Sequence, residues 1–152
     1  MNKKFLQLAF VIIVAAAFHG NVSGQEQKIK KQNLPHPILT AFEKSYPAAK
    51  ITGCSKEKEK GKLVYEIEST DGKTHRDVSY DATGKVLVIE ESMSFDDVPS
   101  TVRNALSKDH PKATVLKSEK VTEDAKTKFE FIVNEGKKKH EIVYGPDGKS
   151  LK

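Results

Sequence analysis

The residues best equipped for chemistry in this chain are few: His36, His75, His110 and His140, the single Cys54, and a set of acidic turns. No two of the histidines stand at the i, i+4 spacing that places two imidazoles on one helix face, so spacing assigns no metal to them. His110 falls where a helix ends and reads as a packing residue with a wet edge, while His75 and His140 read as strand surface or margin. A nucleophilic Cys54 would need a base beside it, and the local sequence designates none; the thiol reads as inert. The turns at Asp71-Gly72, Asp81–Gly84, Asp96-Asp97 and Asp147-Gly148 offer oxygens suited to calcium, but lack the alternating acidic ladder and distal Glu of an EF-hand loop. Turn formation accounts for most of them, and helix capping for Asp97, in register with Asn33. There is no glycine-rich phosphate loop, Gly-x-Ser-x-Gly elbow or His-Glu-x-x-His pair. The reading is therefore no catalytic set and no metal set, with calcium as the one ion the acidic turns keep open.

The elements that would position such residues begin after a leader. Met1–Lys4 is a basic head, and Phe5–Phe18 is nearly unbroken apolar sequence, too short to span a bilayer comfortably. Small residues follow at Val22-Ser23-Gly24, the pattern of a secretory signal peptide cut near Gly24. The expectation is a periplasmic or secreted protein with no membrane attachment after cleavage. The whole chain of 152 residues carries 26 basic and 21 acidic residues, a net charge of +5. Loss of Lys3 and Lys4 with the leader brings it to +3, spread over Lys–Glu mixtures such as Lys56–Lys60. Only two of the basic residues are Arg and there is no Trp, so nothing suggests nucleic acid as a partner.

The strongest signal is internal repetition. Sliding the chain by 64 residues aligns Leu34–Val88 with Val98–Lys152 without a gap. Pro35/Pro99, Ala41/Ala105, Pro47/Pro111, Glu66/Glu130, Gly72/Gly136, Tyr80/Tyr144 and Gly84/Gly148 are among the identical pairs. Each unit predicts one helix of about three turns, opened by Pro35 or Pro99 and stopped by Pro47 or Pro111. The helix stripes are Ile38, Ala41, Phe42 and Val102, Ala105, Leu106. A meander of strands follows: from Ala49 to about Lys58, Leu63–Glu68, Thr74–Tyr80 and Lys85–Met93, with the fourth cut short in the second copy. The organisation read from this is a leader at 1–24, a linker at 25–33, and units at 34–93 and 94–152 that pack as one compact domain.

Period-2 alternation divides the sheet into two faces. Ile51, Tyr65, Ile67, Val78, Tyr80, Leu87 and Ile89, with Val115, Phe129, Phe131, Ile142, Tyr144 and Leu151, form the face that the helices should cover. The opposite face mixes aliphatic and charged residues, among them Cys54, Val64, Glu66, Glu68, Asp77, Val88 and Glu90, then Leu116, Lys128, Glu130, Ile132, Glu141 and Val143. One short helix per unit covers one face, so the mixed face is expected to be exposed. Val64, Glu66, Val88, Leu116, Ile132 and Val143 are its candidate binding residues.

The unit Leu34-Pro35…Ala41-Phe42…Tyr46-Pro47-Ala48-Ala49…Tyr65-Glu66-Ile67…Asp71-Gly72…Val78-Ser79-Tyr80-Asp81…Gly84-Lys85 resembles the PepSY-like, β-lactamase-inhibitor-like repeat of exported bacterial proteins. The resemblance covers both units. It implies an α+β fold in which a helix packs on a four-stranded antiparallel meander, twice, the two sheets able to form one curved surface. It also implies an inhibitory or protein-binding role. The chain departs from the disulfide-bonded inhibitors in having one Cys and no Trp. Its expected function is a non-enzymatic module that binds an envelope or extracellular protein through the exposed sheet face, as a monomer or weak homo-oligomer. The rival reading is a calcium- or small-ligand-binding periplasmic protein.

Overall fold

Two prolines start the two helices. Pro35 and Pro99 are the N-caps of α1 (His36–Ser45) and α2 (Ser100–Asp109). The computed structural model in which these elements are seen describes residues 26–151; the expected leader lies outside the described residues. Each helix buries the stripe read from its sequence, Ile38 and Phe42 in α1 and Val102 and Leu106 in α2. Burying a side chain of this kind stabilises the fold by about 1.5–3 kcal/mol. The helices end at Tyr46 and His110, whose N–H groups donate to Phe42 and Leu106 carbonyls at 2.8 Å, one residue before Pro47 and Pro111. Asp97 does not cap α2, because a 3-10 turn at Phe95–Asp97 intervenes and Pro99 takes the cap position.

The strands are β1 (Gln27–Lys28), β2 (Lys50–Glu59), β3 (Lys62–Asp71), β4 (Thr74–Asp81), β5 (Val86–Ser92), β6 (Ala113–Glu123), β7 (Lys126–Glu135) and β8 (Lys138–Tyr144). They make one eight-stranded sheet in chain order, antiparallel throughout. The junction between the repeats is itself a strand pair, β5 with β6, so the repeats share one sheet rather than two apposed ones. The strands do not divide four and four. Segment 25–33 supplies β1 and a 3-10 turn, and the second unit has three strands plus one bridge between Tyr144 and Ser150.

Both helices lie on one face, each over its own apolar cluster. Leu34, Ile38, Phe42, Ile67, Val78 and Tyr80 form the first, and Val98, Val102, Leu106, Phe131, Ile142 and Tyr144 belong to the second. The hairpin turn Asp81–Gly84 is tied by Asp81 Oδ1, which accepts from the Thr83 and Lys85 N–H groups at 2.9 and 3.1 Å. Gly84 has a φ of +88°, and a Cβ there would sit 2.8 Å from the Pro37 carbonyl oxygen. The turn is pressed against the first turn of α1, which only glycine permits at that φ.

Three bulges shift the face assignments. In β2 the register slips between Ile51 and Gly53, so Cys54 pairs with Ile67 and turns into the helix-covered core. Cys54 is therefore not on the mixed face; it is buried, and burial raises its thiol pKa, with Glu68 adding to the rise. In β6 the slip between Val115 and Lys117 sends Lys117, Glu119 and Val121 to the mixed face and turns Ser118, paired with Phe131, to the helix side. In β5 Val86 pairs with Tyr80, leaving Leu87 as the extra residue outside the core cluster. Leu151, also expected under a helix, is 54% exposed.

Candidate functional site

The sheet face opposite the helices carries the largest concentration of unusual groups. Pairing registers place Gly53, Glu68, Asp77, Glu90, Val121 and Lys128 in one row across β2 to β7. The next row runs through Ser55, Glu66, Ser79, Val88 and Glu123. Farther along, Glu119 pairs with Glu130, Glu130 with Val143, and Ile132 with Lys117 and Glu141.

Among the described residues no helix covers this face, yet Val121 is 1% exposed, and Val64, Glu90 and Glu119 are each 7% exposed. Val121 and Val64 belong to neither core cluster. On a flat sheet such side chains would meet water. Their burial follows from the long side chains of neighbouring strands closing over one another. This crowded face, the trough, is packed by its own side chains, and the expectation of simple exposure is corrected for Val64, which is buried.

Crowding in the trough raises carboxyl protonation. Burial pushes Glu66 up to about 8, and the charges of Asp77 and Glu90 add to it. Burial likewise pushes Glu90 to about 7, with Glu119 and Glu130 contributing. Asp77 rises to about 6 through burial and then Glu68, partly offset by Lys117. Glu141 is raised by burial and then by Glu130. The lysines of the trough pair with carboxylates of the same face, Lys117 with Glu119 at 2.7 Å and Lys128 with Glu130 at 3.0 Å, and neither pair takes in Glu66, Asp77 or Glu90. An overall basic chain therefore concentrates acidic groups on one sheet face.

Of the residues expected to bind, Glu66 and Val88 lie in one row with Ser79 between them. Ile132 and Val143 are half-buried on β7 and β8 beside Glu141 and Glu130. Leu116, at the β6 bulge, is 51% exposed and lines a shallow groove with Ser92, Met93 and Phe95. Glu119 and Val121 were hidden from the sequence reading because the bulge reverses their phase. Gly53 marks the corresponding bulge in β2, where the Glu68 carboxylate lies 2.7 Å from the position a Cβ would take.

Two of the acidic turns tie their own backbone. Asp81 and Asp147 accept hydrogen bonds from their own turns, and these bonds hold their carboxyls below the ordinary range. The histidines divide. His75 is exposed, but His110 and His140 converge with Glu135 at the end of α2, although 25 residues separate His110 from Glu135 in sequence.

Among solved structures, the chain is similar to a "putative periplasmic" protein from Bacteroides eggerthii (20% identity, TM-score 0.67, covering 78% of this chain and 86% of that one). It is also similar to a DUF2874 family protein from Bacteroides uniformis (19%, 0.66, 78% and 86%) and a BLIP-like protein from Bacteroides fragilis (23%, 0.61, 76% and 82%). At these identities the likeness speaks for the fold alone. No curated protein matches significantly. The family described as "Putative beta-lactamase-inhibitor-like, PepSY-like" matches at residues 20–88 and 63–152. Those two overlapping matches take in both repeats and the whole sheet, and the chain belongs to the PepSY-like, beta-lactamase-inhibitor-like family.

Proposed function

We propose that the mature chain is an exported, non-enzymatic binding module of the cell envelope that takes a cationic segment of a partner protein in its acidic trough. The observation that carries this is the trio Glu66, Asp77 and Glu90, brought to one uncovered face by the pairing of β3, β4 and β5, where burial and their neighbours' charges oppose ionisation. A lysine or arginine side chain entering the trough relieves that repulsion and stabilises the ionised carboxylates. Val88, Ile132 and Val143 supply apolar surface for the stems of such side chains. Export is supported by the leader pattern and by the description of the Bacteroides eggerthii neighbour as periplasmic; among the described residues no helix is long and apolar enough to cross a membrane.

The test is titration calorimetry of the mature chain with decalysine at low salt. Binding is expected, strengthening from pH 6 to pH 9 as the carboxylates ionise, and weakening with salt. Glu68→Lys/Asp77→Lys should abolish it, whereas Glu43→Lys on α1, outside the trough, should not. Equal losses in both variants, or no binding at all, would remove the trough as the site. Calcium is the rival cation for the same carboxylates; a melting shift with calcium that disappears in Glu68→Lys/Asp77→Lys would move the reading to it.

A further inference from the structure

The corner where α2 ends against the β7–β8 hairpin brings together His110, Glu135 and His140, whose ligand atoms all lie within 4.8 Å of one another. We propose that these three residues bind a first-row transition-metal ion, zinc foremost, in an open three-ligand site.

The distances fit that chemistry. Glu135 Oε2 lies 3.3 Å from His110 Nδ1 and 3.6 Å from His140 Nε2. Ligand bonds of 2.0–2.1 Å in a tetrahedral arrangement put neighbouring ligand atoms ~3.4 Å apart, between those two values. All three side chains are partly buried, at 28–38% exposure, so each is held by packing yet remains reachable from solvent. Val133 pairs with His140 in the β7–β8 ladder, which puts Glu135, two residues on, on the same face of β7. His110 reaches the corner as the C-cap of α2, the negative end of the helix dipole. Two imidazoles and one carboxylate select zinc, copper or nickel over calcium or magnesium, which take oxygen ligands.

The duplication supplies a second argument. At the equivalent corner of the first unit, Tyr46 stands for His110, Asp71 for Glu135 and Arg76 for His140. There the Arg76 guanidinium lies 4.1 Å from the centre of the Tyr46 ring, and its Nε donates to Glu91 at 2.8 Å. That corner is built around a cation carried by the chain itself. In the second unit two imidazoles stand at the positions of the arginine and its aromatic seat, so a cation held at that corner would come from solution.

The experiment is calorimetric titration of the tag-free mature chain, stripped with chelator, with zinc chloride at neutral pH. The expected result is one zinc per chain with a Kd at or below about 10 µM, and a higher melting temperature with zinc. His140→Ala should weaken binding at least about tenfold, and Glu135→Gln measurably less. His110→Tyr/His140→Arg, which installs the residues of the first unit, should lose zinc while melting at the temperature of the metal-free parent. His75→Ala and Glu66→Gln should bind as the parent does. No zinc binding by the parent, or undiminished binding by His110→Tyr/His140→Arg, overturns the site. So does loss of binding in Glu66→Gln, which would place the ion in the trough.

Discussion

Replacing Glu66 by Gln removes the group that burial and its acidic neighbours oppose most strongly. Its carboxyl is pushed from an ordinary 4.5 up to about 8. Between those values the folded chain holds a proton that the unfolded chain releases, so this group's contribution to stability falls as pH rises through that window. The contribution is intact below pH 4.5 and gone once pH has passed 8. At about 1.4 kcal/mol per decade the full penalty is roughly 5 kcal/mol. Glu66 keeps an edge toward solvent, which screens the penalty to roughly 1–3 kcal/mol. Glutamine imitates the protonated acid and carries no charge to desolvate. Urea denaturation at pH 4.5 should therefore find parent and Glu66→Gln within about 0.5 kcal/mol, and at pH 9 the variant more stable by roughly 1–3 kcal/mol. Asp77 and Glu90 are raised in the same direction, so the parent itself should lose stability from pH 5 to pH 9. A stabilisation independent of pH, or a parent that gains stability over that range, would refute the account of a crowded trough.

Other substitutions separate the parts of the fold. Val121→Asp buries a charge in the trough and should cost more than about 3 kcal/mol in urea, whereas Leu116→Asp at the exposed bulge should stay within about 0.5 kcal/mol. Gly84→Ala meets both a left-handed φ and the Pro37 carbonyl, so it should cost about 2 kcal/mol or more. Gly61→Ala, with φ +83° but open space around it, should cost only about 1 kcal/mol by thermal melting. Arg76→Met leaves the Glu91 carboxylate without its partner and empties the cation seat over Tyr46, an expected loss of about 2–4 kcal/mol. Lys31→Met, which breaks an exposed pair with Glu43, should change stability by less than about 0.5 kcal/mol.

The helices, the hairpins and the helix-covered face were legible because each rests on local chemistry. Proline fixed the helix ends, Asp-Gly and Asp-Ala-Thr-Gly fixed turns, and alternation put Ile67, Val78, Phe131 and Ile142 under the helices. Strict alternation failed where a bulge inserts one residue, and the error then ran on down the strand: Cys54 moved inward and Glu119 moved into the trough. In β2 a glycine signals the slip; in β6, with Lys117 at that place, no residue type does. The joining of β5 to β6 and the recruitment of Gln27–Lys28 are long-range pairings with no local signature. The candidate site was half legible. Period 2 put Glu66, Asp77 and Glu90 on one face, but their burial depends on which strands lie side by side, which the pairing of β5 with β6 decides. His110 and His140 meet Glu135 only because α2 ends over the β7–β8 hairpin, which spacing along the chain does not reveal.

The cationic protein segment proposed as partner would enter at the trough, not at the helix side. The most direct measurement is a backbone amide NMR titration of the mature chain with decalysine at pH 8 and low salt. The largest shifts are expected at Glu66, Asp77, Val88, Glu90 and Val121, with His36–Ser45 and Ser100–Asp109 nearly unmoved. Shifts concentrated on those two helices, or scattered over the surface without preference for the sheet centre, would contradict it.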